Sequence, residues 1–344
     1  MRFSLIILGM LAWLLQVCTG CDEYDPCSGV EYGSECQELA DCSYVTDCWC
    51  GYCIPNMCTG EIEFNVVLES CVRREIEKDG GSLRYENVKG IWRIEGCGHY
   101  DWWITSLWGI QCLTGLRRLD VSENFIRDIE PLSGLIKLSY LRLSQCLLEN
   151  LDPIAGLVNL TELDLSINTH ITDISPLAGL KMLQILNLSD NEIGNIEPLA
   201  ELTNLKELNI SQNGKYEDVG GERVYIGISD ISPLSGMTSL EKLDFSRCGR
   251  ISDLTPLSGM ANLSELDAER ASIENIGTLA GLTSLSVLNL SSNEIRDIGP
   301  LVDNPGIGEG DRVSIGDNPI DCTEQASNIQ ALLDRGVELT VYCP

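Results

Sequence analysis

Histidine is almost missing from this 344-residue chain; it occurs twice, at His99 and His170. The sequence also has no Ser-His-Asp or Cys-His order, no His-Glu-x-x-His pair, no P-loop, and no Gly-x-Gly-x-x-Gly between a strand and a helix. The usual machinery of hydrolases, metalloproteases and nucleotide enzymes therefore has no foothold. Basic residues are scarce too, 23 against 52 acidic ones, for a net charge of -29. That balance disfavours phosphate backbones and anionic headgroups, which excludes nucleic acid as a partner and leaves a lipid anchor as the one route to a membrane. Apart from Phe3 to Val17, about fifteen residues, no long apolar run occurs, and a membrane-spanning helix needs about twenty. A calcium-loop pattern of the Asp-x-Asp-x-Asp-Gly kind is absent. The reading is a non-enzyme without a cofactor. Its acidic surface is a solvated one, suited to a salty environment or a cationic partner.

What the chain does have is a repeat. Leu119, Leu141, Leu163, Leu186, Leu208, Leu243, Leu266 and Leu288 are separated by 22, 22, 23, 22, 35, 23 and 22 residues. Each sits in a block L-x-x-L-x-L-x-x-N/C, followed by I-x-x-I-x-P-L-x-x-L, as in Leu160 to Leu180. This is the leucine-rich repeat signature, and a period in the twenties means a solenoid. Alternating leucines turn one face of a short strand into the core and leave the residues between them in solvent. The ninth position is Asn124, Asn168, Asn191, Asn213 and Asn293, with Cys146, Cys248 and Ala271 as exceptions. A buried Asn there hydrogen-bonds backbone groups that the turning chain leaves unpaired. The two cysteines are accepted substitutes and read as buried free thiols. Seven of the twelve prolines recur at one phase of the repeat, which suits a convex side of turns and short helical pieces.

The expected fold is an α/β solenoid, a horseshoe or arc with a parallel concave sheet. It divides into a signal peptide (1–20), a cysteine-rich segment (21–60), an N-terminal cap with an incomplete coil (61–115), the repeats (116–304), and a last strand with a C-terminal cap (305–344). Met1-Arg2, the apolar run and Cys18-Thr19-Gly20-Cys21 form an export signal. Thr19-Gly20-Cys21 also resembles the end of a bacterial lipobox, which implies lipidation of Cys21; Cys18 stands where that motif prefers Leu, Val or Ile. Plain secretion is the alternative. Sixteen cysteines belong to an oxidising compartment. Seven lie between Cys27 and Cys58, in a stretch too poor in aliphatic residues to fold without cross-links. Their pairing stays open, and Cys48-x-Cys50-x-x-Cys53 leaves a metal site as the rival reading.

In the N-terminal cap, Phe64, Leu68, Cys71, Val72 and Ile76 share a helix face. Val88 to Ile94 reads as a degenerate strand, and Cys97 and Cys112 pair with each other, or one pairs with Cys71. Trp92, Trp102, Trp103 and Trp108 read as a cover for the end of the core, with a binding platform as the alternative. In the C-terminal cap, Asp321 caps a helix with Ala326, Ile329, Leu332 and Leu333 on its face, Gly336 ends it, and Val337, Leu339 and Val341 alternate as a strand. Cys322 and Cys343 bracket this unit and are expected to form a disulfide. The order of a helix, an atypical coil and then Ile104-Thr105-Ser106-Leu107-Trp108-Gly109-Ile110 is similar to the capped start of internalin-type bacterial leucine-rich proteins, from about Phe64 onward. That resemblance implies protein binding through the concave sheet. A structural envelope component, or a carbohydrate- or peptidoglycan-binding module, are the alternatives. No aromatic row on the strands favours sugar.

Outward strand positions are mostly Ser, Asp, Asn and Glu, so their exceptions are informative. Tyr140, Ile167 and Ile185 fall on successive repeats, with Arg142 beside the first. The next repeat holds a long insertion, Gly214 to Gly227, read as a loop carrying Lys215, Tyr216, Arg223 and Tyr225. A Tyr/Arg loop beside apolar residues has the composition of a protein-binding hot spot. Asn159, Asn187, Asn209, Asn262 and Asn289 match the glycosylation triplet but read as repeat pattern.

Overall fold

In a computed structural model the described residues are 48–49, 52–53, 58, 61–97 and 103–342. The export signal, Cys21, most of the cysteine-rich segment, Trp102 and Cys343 lie outside them. The chain forms two compact units, Met1–Ile62 with Gly81–Val88, and Glu63–Gly80 with Lys89–Pro344. The first contains a short antiparallel hairpin, β1 (Cys48–Trp49) against β2 (Tyr52–Cys53). It also has a bridge between Glu61 and Arg84 and a one-turn helix, Tyr85–Val88. Val88 is therefore helical, not the start of a strand. Asn87 turns the chain there, its side chain accepting from the Arg84 N–H at 3.2 Å.

The second unit is the solenoid. Eleven strands among the described residues form one parallel sheet: β3 (Arg93–Ile94), β4 (Arg118–Asp120), β5 (Tyr140–Arg142), β6 (Glu162–Asp164), β7 (Ile185–Asn187), β8 (Glu207–Asn209), β11 (Lys242–Asp244), β12 (Glu265–Asp267), β13 (Val287–Asn289), β14 (Arg312–Ser314) and β15 (Glu338–Thr340). The intervening β9 (Gly214–Val219) and β10 (Glu222–Gly227) form an antiparallel hairpin of their own. The leucines of the repeat stay in step: Leu119 pairs with Leu141, then Leu163, Leu186, Leu208, Leu243, Leu266 and Leu288. All are buried. Two residues further on, the core row reads Leu188, Ile210, Phe245, Ala268 and Leu290, fully buried throughout. Phe245 is oversized and Ala268, in the next coil, is undersized, so volume is conserved between neighbours.

The return path of most coils is a short 3-10 helix with proline in its first turn, as at Glu130–Leu132, Ser175–Gly179 and Ser232–Gly236; Gly277–Gly281 lacks the proline and Gly299–Asp303 is α-helical. An Asp or Asn two residues ahead caps each piece. Asp128, Asn150, Asp173, Asn195, Asp230, Asp253, Asn275 and Asp297 all accept a backbone N–H at 2.7–2.9 Å. At Asp173 and Asp253 these bonds favour the ionised carboxylate and hold it below its ordinary pKa.

Inside the coil, the ladder amides take up carbonyls that the turn leaves unpaired. The Asn168 Nδ2 donates to the Leu143, Leu165 and Ser166 carbonyls at 2.8, 3.0 and 3.2 Å, while its Oδ1 accepts from the Leu148 N–H at 3.1 Å. Asn191, Asn213, Asn293 and Asn318 repeat this arrangement. Cys146 and Cys248 are free and buried. The Cys248 thiol donates to the Ile210 carbonyl at 3.1 Å, and the weaker Cys146 contact to Val121 is 3.7 Å. Burial pushes the two thiols up, to about 12 and about 11 respectively.

The residue before each ladder position is left-handed. Glu123, Gln145, Ile167, Asp190, Gln212, Arg247, Arg270, Ser292 and Asp317 have φ between 53° and 60°. This corner lets the strand turn into the core while its N–H still reaches the next coil, as from Ile167 to the Ser189 carbonyl at 2.9 Å.

Both ends are closed. Helix Val66–Glu75 is capped by the Asn65 side chain and buries Leu68, Cys71 and Val72. Of the two expected pairings the second forms: Cys71 is bonded to Cys97, and Cys112 is bonded elsewhere. Closing a loop with a separation of 26 residues contributes roughly 3–4 kcal/mol. At the other end, Asp321 Oδ1 accepts from the Thr323 and Glu324 N–H groups, and helix Ala326–Asp334 follows. Gly336 turns with φ 81°, and β15 completes the sheet. Cys322 is disulfide-bonded.

Ala268→Leu should cost about 1–3 kcal/mol by overpacking against Phe245, and Phe245→Leu in the same chain should recover much of it. Denaturant melts of the single and the double variant check this. Alkylation at pH 8 should spare Cys146 and Cys248 in the folded protein and label both in denaturant, since both thiol pKa values lie well above that pH; peptide mass spectrometry reads the sites.

Candidate functional site

The outward face of the sheet carries two parallel registers of side chains. One runs Arg118, Tyr140, Glu162, Ile185, Glu207, Lys242, and the next Asp120, Arg142, Asp164, Asn187, Asn209, Asp244. Tyr140 and Ile185 therefore stand at the same register two strands apart, roughly 10 Å at the usual strand spacing, with Glu162 between them.

Tyr140 is outward but covered, at 8% exposure. The Arg118 guanidinium lies 3.7 Å from its ring centroid and that of Arg142 lies 5.0 Å away. Glu95 holds Arg118 at 2.8 Å and Glu162 holds Arg142 at 2.8 Å, so both cations are fixed from their outer sides. Those hydrogen bonds raise the pKa of both arginines, and burial raises that of the Tyr140 phenol. Arg142 Nε is buried and has no hydrogen-bond partner among the described residues. Arg118 and Glu95 did not stand out in the sequence, and Glu162 did so only as a surface carboxylate paired with Asp164 on its strand. The spacing of 20 residues from Arg142 to Glu162 is the signal for neighbours on adjacent strands.

Ile185 is half-buried on the same face. Ile167 sits at the left-handed corner after β6, 43% exposed with φ 57°. A β-branched residue is the least suited to that conformation.

The insertion is a β-hairpin, not a loop. Gly220 and Gly221, with φ 64° and 90°, make the tight turn that such hairpins favour. The alternation of Lys215 to Val219 and Glu222 to Ile226 around Gly-Gly was the available signal. Tyr225 ties the hairpin down. Its hydroxyl donates to the Asn213 carbonyl at 2.7 Å and lies 3.1 Å from that of Arg247. A side chain on Gly249 would meet the Tyr225 ring at 3.1 Å, which accounts for glycine at that position. Burial pushes the Tyr225 phenol up to about 12. Tyr216 stacks edge-on against Tyr225 at 5.2 Å and is 61% exposed. Lys215 reaches Glu192 at 2.7 Å. Arg223 lies opposite Asp218 in the register. The hairpin thus touches the coils on either side of its own, whereas Tyr140 and Arg142 contact coils nearer the N-terminus. Ile167 and Ile185 stand between the two groups, so the expected residues form a row along the sheet and not a single pocket.

Trp92, Trp103 and Trp108 are 51%, 45% and 47% exposed, and Trp103 packs on the exposed Phe125 ring at 4.9 Å. They do not cover the core; Phe64, Leu68, Val72, Ile94, Ile104 and Leu107 do. Among the described residues no group of three or more His, Cys, Asp or Glu is placed to hold a metal ion, and no helix is long and apolar enough to cross a membrane. Asn159 and Asn262 donate to the Ile136 and Thr238 carbonyls at 2.8 and 2.9 Å, a structural use of both amides.

A family described as Leucine Rich repeats (2 copies) matches residues 114–156, 136–179 and 181–221, and a single Leucine Rich repeat matches 281–299. No curated protein sequence matches the chain. Among solved structures it is similar to internalin C2 of Listeria monocytogenes strain 4b F2365, at 32% identity and a TM-score of 0.59, covering 67% of this chain and 93% of that one. A second internalin of the same strain shares the fold at 23% identity and a TM-score of 0.57, covering 83% and 92% of the two chains. With 32% identity over nearly the full length of internalin C2, and a leucine-rich repeat match besides, the chain belongs to the internalin-like leucine-rich repeat proteins of bacteria.

Proposed function

We propose that this chain is an exported scaffold, lipid-anchored at Cys21, that binds a protein partner on the outward face of its sheet. The observation that carries the reading is the placement of two apolar side chains close together on a mostly polar face: Ile185 on β7 and the exposed Ile167 at its strained corner, with Val287 the other aliphatic residue of the same register, four strands further on. A disulfide-bonded cap fits an oxidising compartment. In this reading Tyr216 reaches the partner from the hairpin, and Tyr225 holds the hairpin in place. Tyr140 and Arg142 contribute the flat upper surface of a stacked guanidinium pair. Ordering costs on binding are low, because rigid strands and a tethered hairpin present these groups.

Three experiments test this. A photo-crosslinking residue at position 185 or 216 should capture the same protein from the source organism's surface or its host, while one at position 158, on the return path of the coil, should not. Capture at 158 alone would place binding elsewhere. Tyr225→Phe should leave the melting transition of the repeats nearly unchanged but speed amide exchange across residues 214–227, and should weaken binding of the captured protein severalfold through lost preorganisation. Mass spectrometry of the native protein should find an acylated N-terminus at Cys21, and Cys21→Ser should free the chain from membranes. An unmodified mature N-terminus would mean plain secretion.

A further inference from the structure

The cations on the outward face are already in use. Arg118 is bonded to Glu95, Arg142 to Glu162, Lys242 to Glu207 and Glu265, and Arg247 and Arg270 to Glu269. Three carboxylates near Ile167 and Ile185 have no such partner. Asp164 and Asp244 accept the Ser166 and Ser246 N–H groups at 3.0 and 2.9 Å, and Asp190 accepts from the Gln212 amide at 2.8 Å. None of the three forms an ion pair among the described residues. They stand around the apolar pair. Asp164 is in register with Asn187 and Asp244 with Asn209, while Glu162 and Glu207 flank Ile185 on its two neighbouring strands. Asp190 holds the corner next to that of Ile167.

The fold does not need these charges. Asn187, Asn209 and Asn289 make the same bond to the N–H two residues on, at 3.1, 2.9 and 3.2 Å, so an amide serves the turn as well as a carboxylate. On β11 and β12 two carboxylates, Asp244 and Asp267, even stand side by side in register, where like charges cost stability. Burial raises the pKa of the Asp244 carboxyl and the Asp267 charge adds to it; burial raises that of Asp190 as well. Ile167 gains nothing for the fold either. At the other corners of its kind the left-handed residue is Glu, Gln, Asp, Arg or Ser, and strain of this sort persists where a functional contact keeps it.

We propose that Ile167 and Ile185, with Asp164, Asp190 and Asp244 around them, seat a basic protein segment: an apolar side chain on the two isoleucines, with lysine or arginine beside it on the carboxylates. The proposal rests on the sheet-face reading above and specifies the partner's chemistry. The segment's cations break no existing ion pair, because the three carboxylates have none. A neutral segment covering the isoleucines would strip water from those anions and give no counterion in return, which is unfavourable. An acidic one would be repelled from both sides of the apolar pair.

The net charge of -29 attracts cations to the whole chain, so the test must locate the binding. The probe is a phage-displayed library of random dodecapeptides panned against the full chain, with the enriched peptides synthesised for titration. They should carry an aliphatic or aromatic residue with lysine or arginine on both sides, and lose about tenfold in affinity or more between roughly 0.1 and 0.5 M salt. Asp164→Asn with Asp244→Asn should weaken them about fivefold or more while the melting temperature holds, since Asn already fills that turn in other repeats. Asn187→Asp with Asn209→Asp should tighten them about threefold. Ile185→Ser should weaken them about fivefold or more. Asp173→Asn with Asp253→Asn is the matched control. It removes the same charge on the return path, where Asn150, Asn195 and Asn275 already serve, and should change affinity less than about twofold. Equal losses in the face and control pairs would reduce the binding to diffuse attraction and overturn the proposal, as would basic peptides that ignore Ile185→Ser. Neutral peptides that respond to Ile185→Ser and ignore the Asp pair would overturn the basic segment while leaving sheet-face binding intact. Peptides indifferent to every face variant, or no enriched peptide at all, would overturn the proposal together with the reading it rests on.

Discussion

A chain that turns through its own core strands carbonyl oxygens there, and each buried acceptor left unpaired costs about 1–3 kcal/mol. The ladder amide removes that cost. One Asn side chain spends both Nδ2 protons on carbonyls of its own and the previous coil, and its Oδ1 takes an N–H from the coil before. Each coil is thereby bonded to its neighbour inside the core as well as along the sheet. The left-handed corner, the short 3-10 return and the strict leucine register all follow from placing that amide correctly. Cys146 and Cys248 show the weaker version, with a thiol donating to one or two carbonyls, and Ala271 dispenses with a side chain while Asn293 Oδ1 takes both the Ala271 and Ile273 N–H groups at 3.0 Å.

Most of this architecture was legible because the pattern repeats. A single L-x-x-L-x-L block is ambiguous, but eight in phase fix the strand, its inward face and the ladder. The cap helices were legible from spacing and from Gly336, but the last one takes Gln325 as its N-cap, leaves Asp321 to cap the turn before it, and buries Leu332 while Ala326 and Leu333 stay exposed. Readings failed where a residue's role depends on what lies across from it. Tyr140 looked like an exposed aromatic, since nothing in its own repeat reveals the Arg118 guanidinium that covers it from the adjacent strand, or the Glu162 that holds Arg142 beside it. The tryptophans looked like a lid, but Phe64 and aliphatic side chains fill that end of the core and leave the indoles of Trp92, Trp103 and Trp108 at the surface. The hairpin was read as a loop because the 35-residue spacing drew attention to length and away from the alternation within it.

The candidate site follows the same division. Ile167 and Ile185 could be picked out as apolar exceptions in a polar ladder, but the strain at Ile167 is a backbone property. Its meaning comes from comparison with the eight other corners of the same geometry. The same holds for charge. A balance summed over the chain describes solubility, whereas the pairing of Lys242 with carboxylates on both neighbouring strands describes what a partner would meet.

The hairpin also reveals where this scaffold accepts new material. β8 pairs directly with β11, Leu208 opposite Leu243, in the register used by every other pair, although the hairpin separates them in sequence. Asn213 still fills its ladder position, and the extra residues leave after it and return before Ile228, which is fully buried in its usual place. Sheet, ladder and core are thus blind to what is inserted at this corner. A lineage can lengthen, shorten or exchange the projecting segment here without refolding the coils, so new specificity can evolve at this position while the scaffold stays constant.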